Sequence, residues 1–363
     1  ARHPDAGGLR HYLKEGRAPR VGETMRYPAL ANTLRMIASS GSNVFYNGSI
    51  ADDIIRTTSA LGSLLTHDDF AAHESTWVEP ISTTFMGHEI LEIPPSGQGL
   101  TALIAFNILA QIGLRRHAAQ SVARCHLEIE AMKLAWDLRN RHIADPEFAH
   151  VPVAELLSPQ TAARLAAMID ERRALNIRTE MRNSDTVYLS VVDEGRLAVS
   201  FINSVYDGFG SCIVTPETGI ALQNRGACFV TDPAHPNCIG PGKRPLHTII
   251  PAMVKRNGRI DMSYGVMGGD YQPMGHVCVA VNRYVYDMDP QEAIDAPRYF
   301  PSNGKVLVES ALDPGICAGL QALGHVLEPS GPLGGGQAIA IDHAGGMLIG
   351  GSDPRKDGLA LGY

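Results

Sequence analysis

Thr186 is the residue of this chain whose type and position could do the most chemistry. It lies in the segment Asp185–Asp193, between a helix-patterned half and a half of short β-like segments rich in glycine and proline. Cleavage of the Asp185–Thr186 bond would give one residue both a hydroxyl nucleophile and a free α-amine that acts as its base. The alternative is that Thr186 only begins a half-buried strand, because threonine is a good strand former.

Small and polar segments that follow Thr186 could complete such a site. Gly268 and Gly269 lie between an apolar strand and a helix, where consecutive backbone N–H groups suit an oxyanion hole. A plain strand-to-helix turn is the alternative there. Ser204 places a hydroxyl at a strand end, and Arg225 places a permanent cation in a turn, where it binds a carboxylate or only holds the loop.

Motifs of other catalytic classes do not occur in the sequence. None of the 14 histidines forms an HExxH or HxH pair, so lone residues such as His88, His126 and His276 are interpreted as core or surface histidines. There is no P-loop, dinucleotide fingerprint or GxSxG elbow. We therefore expect no cofactor and no metal ion.

Composition narrows the class of protein. A hydrophobic content of 44% and a charged content of 19% are typical of a globular protein with a large core, and the net charge of −7 argues against nucleic-acid and membrane partners. The six cysteines show no CxxC spacing, which favours reduced thiols and a cytoplasmic setting, with a periplasmic one left open. No apolar run reaches the roughly 20 residues that span a bilayer.

The elements that must position these residues follow from periodicity and cap signals. Helices are predicted over Pro28–Ser39, Ser49–Ala60, Leu100–Ile112, Ser121–Arg141, Ser158–Arg173, Tyr271–Tyr286 and Asp313–Leu323, with a short turn at Pro290–Ile294. Strands are predicted over Thr83–Ile93, Thr186–Val192, Leu197–Ile202, Ile220–Leu222, Ile249–Val254, Met262–Val266, Val306–Val308 and Ala338–Ile341. This order suits a layered α+β fold with sheets between helical layers.

Taken together, the motifs resemble the γ-glutamyltranspeptidase family of N-terminal-nucleophile hydrolases almost from end to end. Thr186 to Asp193 is similar to the family's nucleophile strand. Further motifs follow in the family's order, namely Phe45–Ala51, Pro94–Gly97, Asn107–Leu109, Phe209–Ser211, Gly240–Pro245, Met267–Gly269, Ala296–Arg298 and Ser352–Arg355. The resemblance implies a four-layer αββα sandwich and favours Thr186 as the nucleophile over the strand-only alternative.

The resemblance also implies a mechanism. A single precursor cleaves itself before Thr186, and the freed Thr186 attacks a small amide through an acyl-enzyme, with its α-amine relaying the proton. Gly268 and Gly269 match the oxyanion donors, and Ser204 matches a hydroxyl close to the nucleophile. We expect hydrolysis to dominate over transfer to an acceptor amine.

The departures from the family pattern concern the substrate. Members acting on γ-glutamyl groups hold the amino-acid end with a Gln and an Asp, whose matching positions here are Arg225 and Cys228. This change favours an anionic amide without an α-amine, as in the similar oxamate amidohydrolase branch or in glutaryl acylases, over γ-glutamyl compounds such as glutathione. The candidate substrate-binding residues are Arg225, His247, Thr248, Tyr206 and Asn224.

The resemblance further implies two subunits of one precursor. Residues 1–185 are expected to be the C-terminal part of the large subunit, mostly helical and without the family's N-terminal portion. Residues 186–363 are expected to be the small subunit, and both together to form one αββα domain, with a homo-oligomer allowed. A catalytically silent, unprocessed member of the fold is the alternative.

Overall fold

The computed structural model describes residues 6–178, 181 and 185–363, without the side chains of Ala6, Leu9 and Asp185. Within it the chain forms two compact units, Ala1–Trp77 with Val205–Arg225, and Val78–Ser204 with Gly226–Tyr363. The boundary predicted between residues 185 and 186 therefore falls inside the second unit.

The first unit is built from short helices and the returning segment 205–225. The helices are α1 (Ala6–Tyr12), α2 (Pro28–Ser40), α3 (Asn43–Tyr46), α4 (Ser49–Ser59) and α5 (His67–Ala71). The buried carboxylate of Asp53 on α4 accepts from the backbone N–H groups of Glu217 and Thr218, at 3.1 Å and 2.8 Å. These bonds attach the returning segment to α4.

The second unit contains the described strands, apart from Val205 and Tyr206, which end one strand and belong to the first unit. The strands are β1 (Ile81–Phe85), β2 (His88–Glu92), β3 (Asp185–Val192), β4 (Ala198–Tyr206), β5 (Ala252–Arg256), β6 (Arg259–Met267), β7 (Tyr299–Ser302), β8 (Lys305–Glu309), β9 (Leu327–Ser330), β10 (Gly335–Asp342) and β11 (Met347–Ser352). A six-stranded antiparallel sheet has the order β1-β2-β5-β6-β10-β11, and β3 pairs with β4 in a separate sheet. The third sheet has the order β7-β8-β9.

Helices cover one face of the six-stranded sheet and β3 covers the other. The helices of this unit are α6 (Gly99–Ile112), α7 (Val122–His142), α8 (Val153–Leu156), α9 (Pro159–Ala166), α10 (Gln272–Val285), α11 (Pro290–Asp295) and α12 (Pro314–Ala322). On β6, Val266 lies against Gly275 of α10, whereas its neighbour Gly265 lies against Tyr188 of β3. Because alternate residues of a strand point to opposite faces, β6 is buried on both sides, and Met262 to Met267 are all buried.

Most predicted elements are present, with three corrections. The strand predicted over Thr83–Ile93 is a hairpin of β1 and β2 that turns at Met86 and Gly87, both with positive φ (51° and 79°). The helix predicted over Ser158–Arg173 ends at Ala166, because the N–H groups of Met168 and Ile169 bond three residues back rather than four, each at 3.1 Å. The strand predicted over Ile220–Leu222 is a single bridge between Val214 and Ala221.

Candidate active site

Thr186 is the second residue of β3, and its side chain lies on the inner face of the β3–β4 sheet. The strand alternates in burial: Tyr188 is buried, whereas Val187 is 60% exposed. Since side chains two residues apart share a face, Thr186 points to the same side as Tyr188, towards the six-stranded sheet. The predicted cleavage bond therefore lies at the first residue pair of the strand, and residues 182–184 before it lie outside the described residues.

Ser204 brings a second hydroxyl to Thr186. It lies near the end of β4, and the Thr186 hydroxyl donates to Ser204 Oγ at 3.3 Å. Both side chains are half-buried. The structure therefore brings together the predicted nucleophile and the predicted supporting hydroxyl, and it gives the Thr186 side chain a defined direction.

A small buried cluster connects these hydroxyls with the glycine turn. Tyr188, Ile202 and Met267 pack together, and Ile249 packs against them. Tyr188 and Ile202 lie two residues from Thr186 and Ser204, while Met267 directly precedes Gly268. Residues next to the predicted nucleophile and next to the predicted oxyanion donors thus pack in one apolar cluster.

Tyr188 is seated against β6 because residue 265 has no side chain. A Cβ built on Gly265 would lie 2.3 Å from the Tyr188 ring. The Tyr188 hydroxyl bonds to Ser190 Oγ and Ser200 Oγ, each at 2.7 Å, and burial raises the pKa of this phenol above its usual value. Tyr188 therefore stays protonated and fixes how β3 packs against β6.

The turn at Gly268 and Gly269 connects β6 to α10. Both residues have positive φ, 123° and 58°, a region that residues with a Cβ rarely adopt. A Cβ on Gly268 would also lie 3.0 Å from the backbone of Gly334. Glycine is thus required here by backbone conformation and by close approach, and two consecutive amides follow the buried end of β6.

A buried hydrogen-bonded pair, His276 and Glu92, supports β6 from the helical side. His276 of α10 accepts the Val266 N–H at Nε2 (3.2 Å), and its Nδ1 lies 2.6 Å from Glu92 Oε1. Burial raises the pKa of Glu92. This arrangement agrees with the interpretation of His276 as a core histidine, and it anchors the strand two residues before Gly268.

His247 and Thr248 lie next to Ile249 of the cluster. The His247 N–H donates to the Ser96 carbonyl at 2.9 Å, and His247 Nδ1 accepts the Ile249 N–H at 3.3 Å. A backbone N–H only donates, so Nδ1 is unprotonated in this contact and Nε2 carries the hydrogen of the neutral ring. Thr248 is fully buried, whereas His247 is half-buried.

Three predicted substrate-binding residues belong to the first unit. The Arg225 guanidinium lies 4.5 Å from the centre of the Tyr206 ring, and both residues are buried. Asn224 and Asp207 bond reciprocally, with Asn224 Nδ2 donating to Asp207 Oδ2 at 2.7 Å and Asp207 N–H donating to Asn224 Oδ1 at 3.1 Å. The Asn224 carboxamide therefore holds its own turn, and its role towards substrate stays a prediction.

Sequence reasoning missed two residues of this region. The sequence marks Tyr188 only as one strand residue among several, and no motif singles out Gln98, although it follows Pro94–Gly97. The signal for Gln98 was a long polar side chain between two glycines, immediately before the apolar helix α6.

Comparisons with known proteins agree with one another. A family model described as Gamma-glutamyltranspeptidase matches residues 3–363. The chain is 38% identical to the oxamate amidohydrolase proenzyme of Klebsiella pneumoniae, with 97% of this chain and 68% of the relative covered. It is 36% identical to the glutathione hydrolase-like YwrD proenzyme of Bacillus subtilis, with the same coverage of each.

A solved structure is similar over nearly the whole chain. The cephalosporin acylase from Bacillus halodurans matches with a TM-score of 0.92 and 40% identity, over 99% of this chain and 68% of that one. In the described ranges, none of the helices combines the length and the apolar character that crossing a membrane requires.

Proposed function

This chain belongs to the gamma-glutamyltranspeptidase family and is a self-processing enzyme that acts on amide bonds, and from that premise we propose that Thr186 is its nucleophile. The observation that carries the proposal is the Thr186 hydroxyl, which donates to Ser204 Oγ at 3.3 Å on the inner face of β3–β4. The cluster of Tyr188, Ile202 and Met267 lies beside it, and Met267 directly precedes Gly268. A residue that only began a strand would not need this setting.

The reaction then proceeds in two stages. After cleavage of the Asp185–Thr186 bond, the Thr186 hydroxyl attacks the amide carbonyl carbon, and its α-amine takes the proton. The N–H groups of Gly268 and Gly269 bind the negative oxygen of the tetrahedral intermediate. When the C–N bond breaks, the proton passes to the leaving amine, and an ester to Thr186 remains.

Hydrolysis of the ester completes the cycle, with the same groups now acting on a water molecule. The α-amine removes a proton from a water molecule, which attacks the ester carbonyl, and the same two N–H groups bind the new oxyanion. The C–O bond to Thr186 breaks, the hydroxyl regains its proton, and the carboxylic acid leaves. Ser204 orients the Thr186 hydroxyl in both stages.

We propose a small anionic amide as the substrate, with Arg225 as the partner of its carboxylate. By the resemblance to the family, Arg225 and Cys228 match the positions of the residues with which γ-glutamyl-specific members bind the amino-acid end. A substrate with an α-ammonium group would meet a guanidinium at residue 225, whereas a dicarboxylate-like amide would gain a charge-assisted hydrogen bond. His247 and Thr248 are the further proposed contacts.

A γ-glutamyl compound such as glutathione is the second candidate. It is favoured by the similarity to a glutathione hydrolase-like proenzyme at 36% identity. The two candidate classes differ in the α-amine of the substrate, so a matched pair of compounds can separate them.

Intact mass spectrometry tests the nucleophile. The purified protein should give two fragments, and the smaller should begin at Thr186. Thr186→Ala should remain a single chain without turnover, while Thr186→Ser, which keeps a hydroxyl and an α-amine, should still be cleaved. A wild-type protein that stays uncut and inactive after long incubation would overturn the proposal and favour the silent alternative.

A matched substrate pair tests the specificity. Glutaryl-p-nitroanilide and γ-glutamyl-p-nitroanilide differ only in the α-amine, and we expect kcat/KM to be higher for the glutaryl compound, with oxamate also hydrolysed. Arg225→Gln should reduce kcat/KM for the glutaryl compound about 10- to 100-fold, the effect of one charge-assisted hydrogen bond, while Arg225→Lys should lose less. Because both compounds carry the carboxylate, the loss for the γ-glutamyl compound should be smaller, since the repulsion of its α-ammonium group is removed as well; equal loss would contradict the role of Arg225 in choosing between them.

A further inference from the structure

Gln98 is a buried side chain that bonds to two of the segments proposed to form the active site. It directly precedes α6 and is fully buried. Its Nε2 donates to the carbonyl of Thr248 at 2.7 Å and to the carbonyl of Gly269 at 2.9 Å. An amide nitrogen carries two hydrogens, and both are used here.

Arg139 fixes which way the Gln98 carboxamide points. Arg139 Nη1 of α7 donates to Gln98 Oε1 at 2.7 Å and to Asp270 Oδ1 at 2.6 Å. A guanidinium only donates and a carbonyl only accepts, so exchanging the oxygen and nitrogen of Gln98 would break all three of its side-chain bonds. The orientation of this amide is therefore determined by its neighbours.

The backbone of Gln98 also bonds to the segment of His247 and Thr248. Its N–H donates to the His247 carbonyl at 3.0 Å, and the His247 N–H donates to the Ser96 carbonyl at 2.9 Å. Residues 96–98 thus run beside His247 and Thr248, while the Gln98 side chain reaches across to Gly269. Gly269 and Asp270 are held at the same time, one through its carbonyl and the other through Arg139.

Such a connection matters because the turn it holds consists of two glycines. Consecutive glycines have wide conformational freedom, and both have positive φ here. An oxyanion donor works only when its N–H is held about 2.7–3.1 Å from the developing charge. The restraint on this turn must therefore come largely from outside it.

We propose that Gln98 is a positioning residue for the reaction, which holds the Gly268–Gly269 turn and the segment of His247 and Thr248 in one fixed arrangement. The inference rests on the proposed function of this turn as the oxyanion site. Gln98 has no contact with the substrate in this role; it acts through the two carbonyls and sets the direction of the amides next to them.

Gln98→Glu tests the inference with almost no change in size. It replaces the donor that faces two carbonyls by an acceptor, so the turn should lose its restraint. We expect kcat to fall about 10- to 100-fold, less than the roughly 100- to 1,000-fold loss of a whole oxyanion donor, with KM changed less than about threefold. Self-cleavage before Thr186 should slow as well.

Asn282→Asp is the matched control. Asn282 is a buried carboxamide of α10 that accepts from Arg124 at its oxygen and donates to the Ala293 carbonyl at 2.9 Å, the same pattern away from the proposed site. Both variants should lower the melting temperature, but Asn282→Asp should keep kcat within about twofold. A fall in kcat of similar size in both would show that Gln98 acts only through stability and would overturn the inference.

Two further measurements distinguish a failure of this inference alone from a failure of the proposed function. Gln98→Met removes the same donor without adding charge, and it carries the same expected values if Gln98→Glu does not fold. Turnover of glutaryl-p-nitroanilide by the wild type, and its loss in Thr186→Ala, are measured first. If these hold and both Gln98 variants keep kcat within threefold, the inference alone is wrong; an inactive wild type would overturn the proposed function and the inference together.

Discussion

At the scale of single residues, we expect Ser204 to orient the hydroxyl of the proposed nucleophile. Its Oγ accepts from the Thr186 hydroxyl at 3.3 Å. Ser204→Ala should lower kcat about two- to tenfold, the value of one hydrogen bond, because the Thr186 hydroxyl then samples more directions. Steady-state kinetics on the cleaved protein measures this.

Ser200→Ala is the control for that prediction. Ser200 lies on the same strand and the same face, but its hydroxyl bonds to Tyr188 at 2.7 Å rather than to Thr186. It should lower stability without lowering kcat. An equal loss of kcat in both variants would contradict a specific role of Ser204.

His325 is the residue whose protonation should couple stability to pH. It lies between α12 and β9, and its Nε2 is 2.7 Å from His126 Nδ1. His126 Nε2 bonds to the Asp170 carbonyl at 2.9 Å, so that nitrogen carries the hydrogen, and His126 Nδ1 accepts from His325. His325 Nδ1 is buried without a hydrogen-bond partner in the described part of the chain.

Burial, together with the charges of Lys133 and His126, lowers the pKa of His325 to about 3. Glu130 also faces the ring, at 3.8 Å, but it is paired with Lys133 at 2.7 Å. The unfolded chain takes up the proton near pH 6.5, whereas the folded chain does not until about pH 3. Acid therefore favours unfolding across this window.

The prediction is that the free energy of unfolding falls between pH 7 and pH 5, and that His325→Gln reduces this fall. Urea denaturation at both pH values measures the difference, above the range in which ordinary carboxylates titrate. A variant with the same pH dependence as the wild type would contradict the assignment of the effect to His325.

At the scale of elements, the contact between β3 and β6 depends on Gly265. A Cβ at this position would lie 2.3 Å from the Tyr188 ring, which is held at its hydroxyl by two serines. Gly265→Ala should lower the free energy of unfolding by about 1–3 kcal/mol, the range of an overpacked core. It should also slow self-cleavage, because Thr186 lies two residues along β3.

Gly226→Ala is the matched control, since a Cβ there has nothing within 4 Å. It should change stability by less than about 0.5 kcal/mol, and denaturant titration of both variants measures the contrast. A Gly265→Ala protein as stable and as quickly cleaved as the control would show that Tyr188 can move aside.

The elements that frame the site could largely be predicted from the sequence, whereas their contacts could not. The apolar run of α6 and the capping serine of α7 gave both helices to within one residue at each end, because those signals are local. The β1–β2 hairpin was missed because its alternation continues across Met86 and Gly87. The partners of Gln98 lie 150 and 171 residues away in the chain, and no local pattern contains them.

The order of the motifs predicts the site, and the roles of its residues stay predictions. Residues within two positions of Thr186, Ser204 and Gly268 pack in one cluster of the second unit. The substrate contacts stay predictions. The residue type at a matching position specifies the charge of its side chain but not where that side chain points. Asn224 shows this, since its amide is used by Asp207.

At the scale of the whole molecule, the proposed cleavage before Thr186 would divide the six-stranded sheet between two fragments. Residues 1–185 supply β1, β2, α6 and α7, while residues 186–363 supply β5, β6, β10, β11 and α10. The β2–β5 ladder pairs Glu89 with Lys255 through Glu92 with Ala252, in the interior of the six-stranded sheet. The family assignment and this shared sheet agree with the predicted α+β fold.

We therefore expect the two fragments to stay together after cleavage. They should elute as one species from a size-exclusion column in native buffer, at the volume of the uncut Thr186→Ala protein, and should separate only in denaturant. Two separate peaks in native buffer would contradict a sheet shared across the cleavage point.

The β2–β5 ladder also makes refolding of the cleaved protein different from refolding of the uncut chain. The uncut chain brings β2 and β5 together within one molecule, so its refolding time does not depend on concentration. The cleaved protein must first find its other fragment, and assembly steps of this kind depend on concentration. Processing thus converts a first-order folding reaction into a second-order one, so dilution alone would leave the mature enzyme unable to recover from unfolding that its precursor survives.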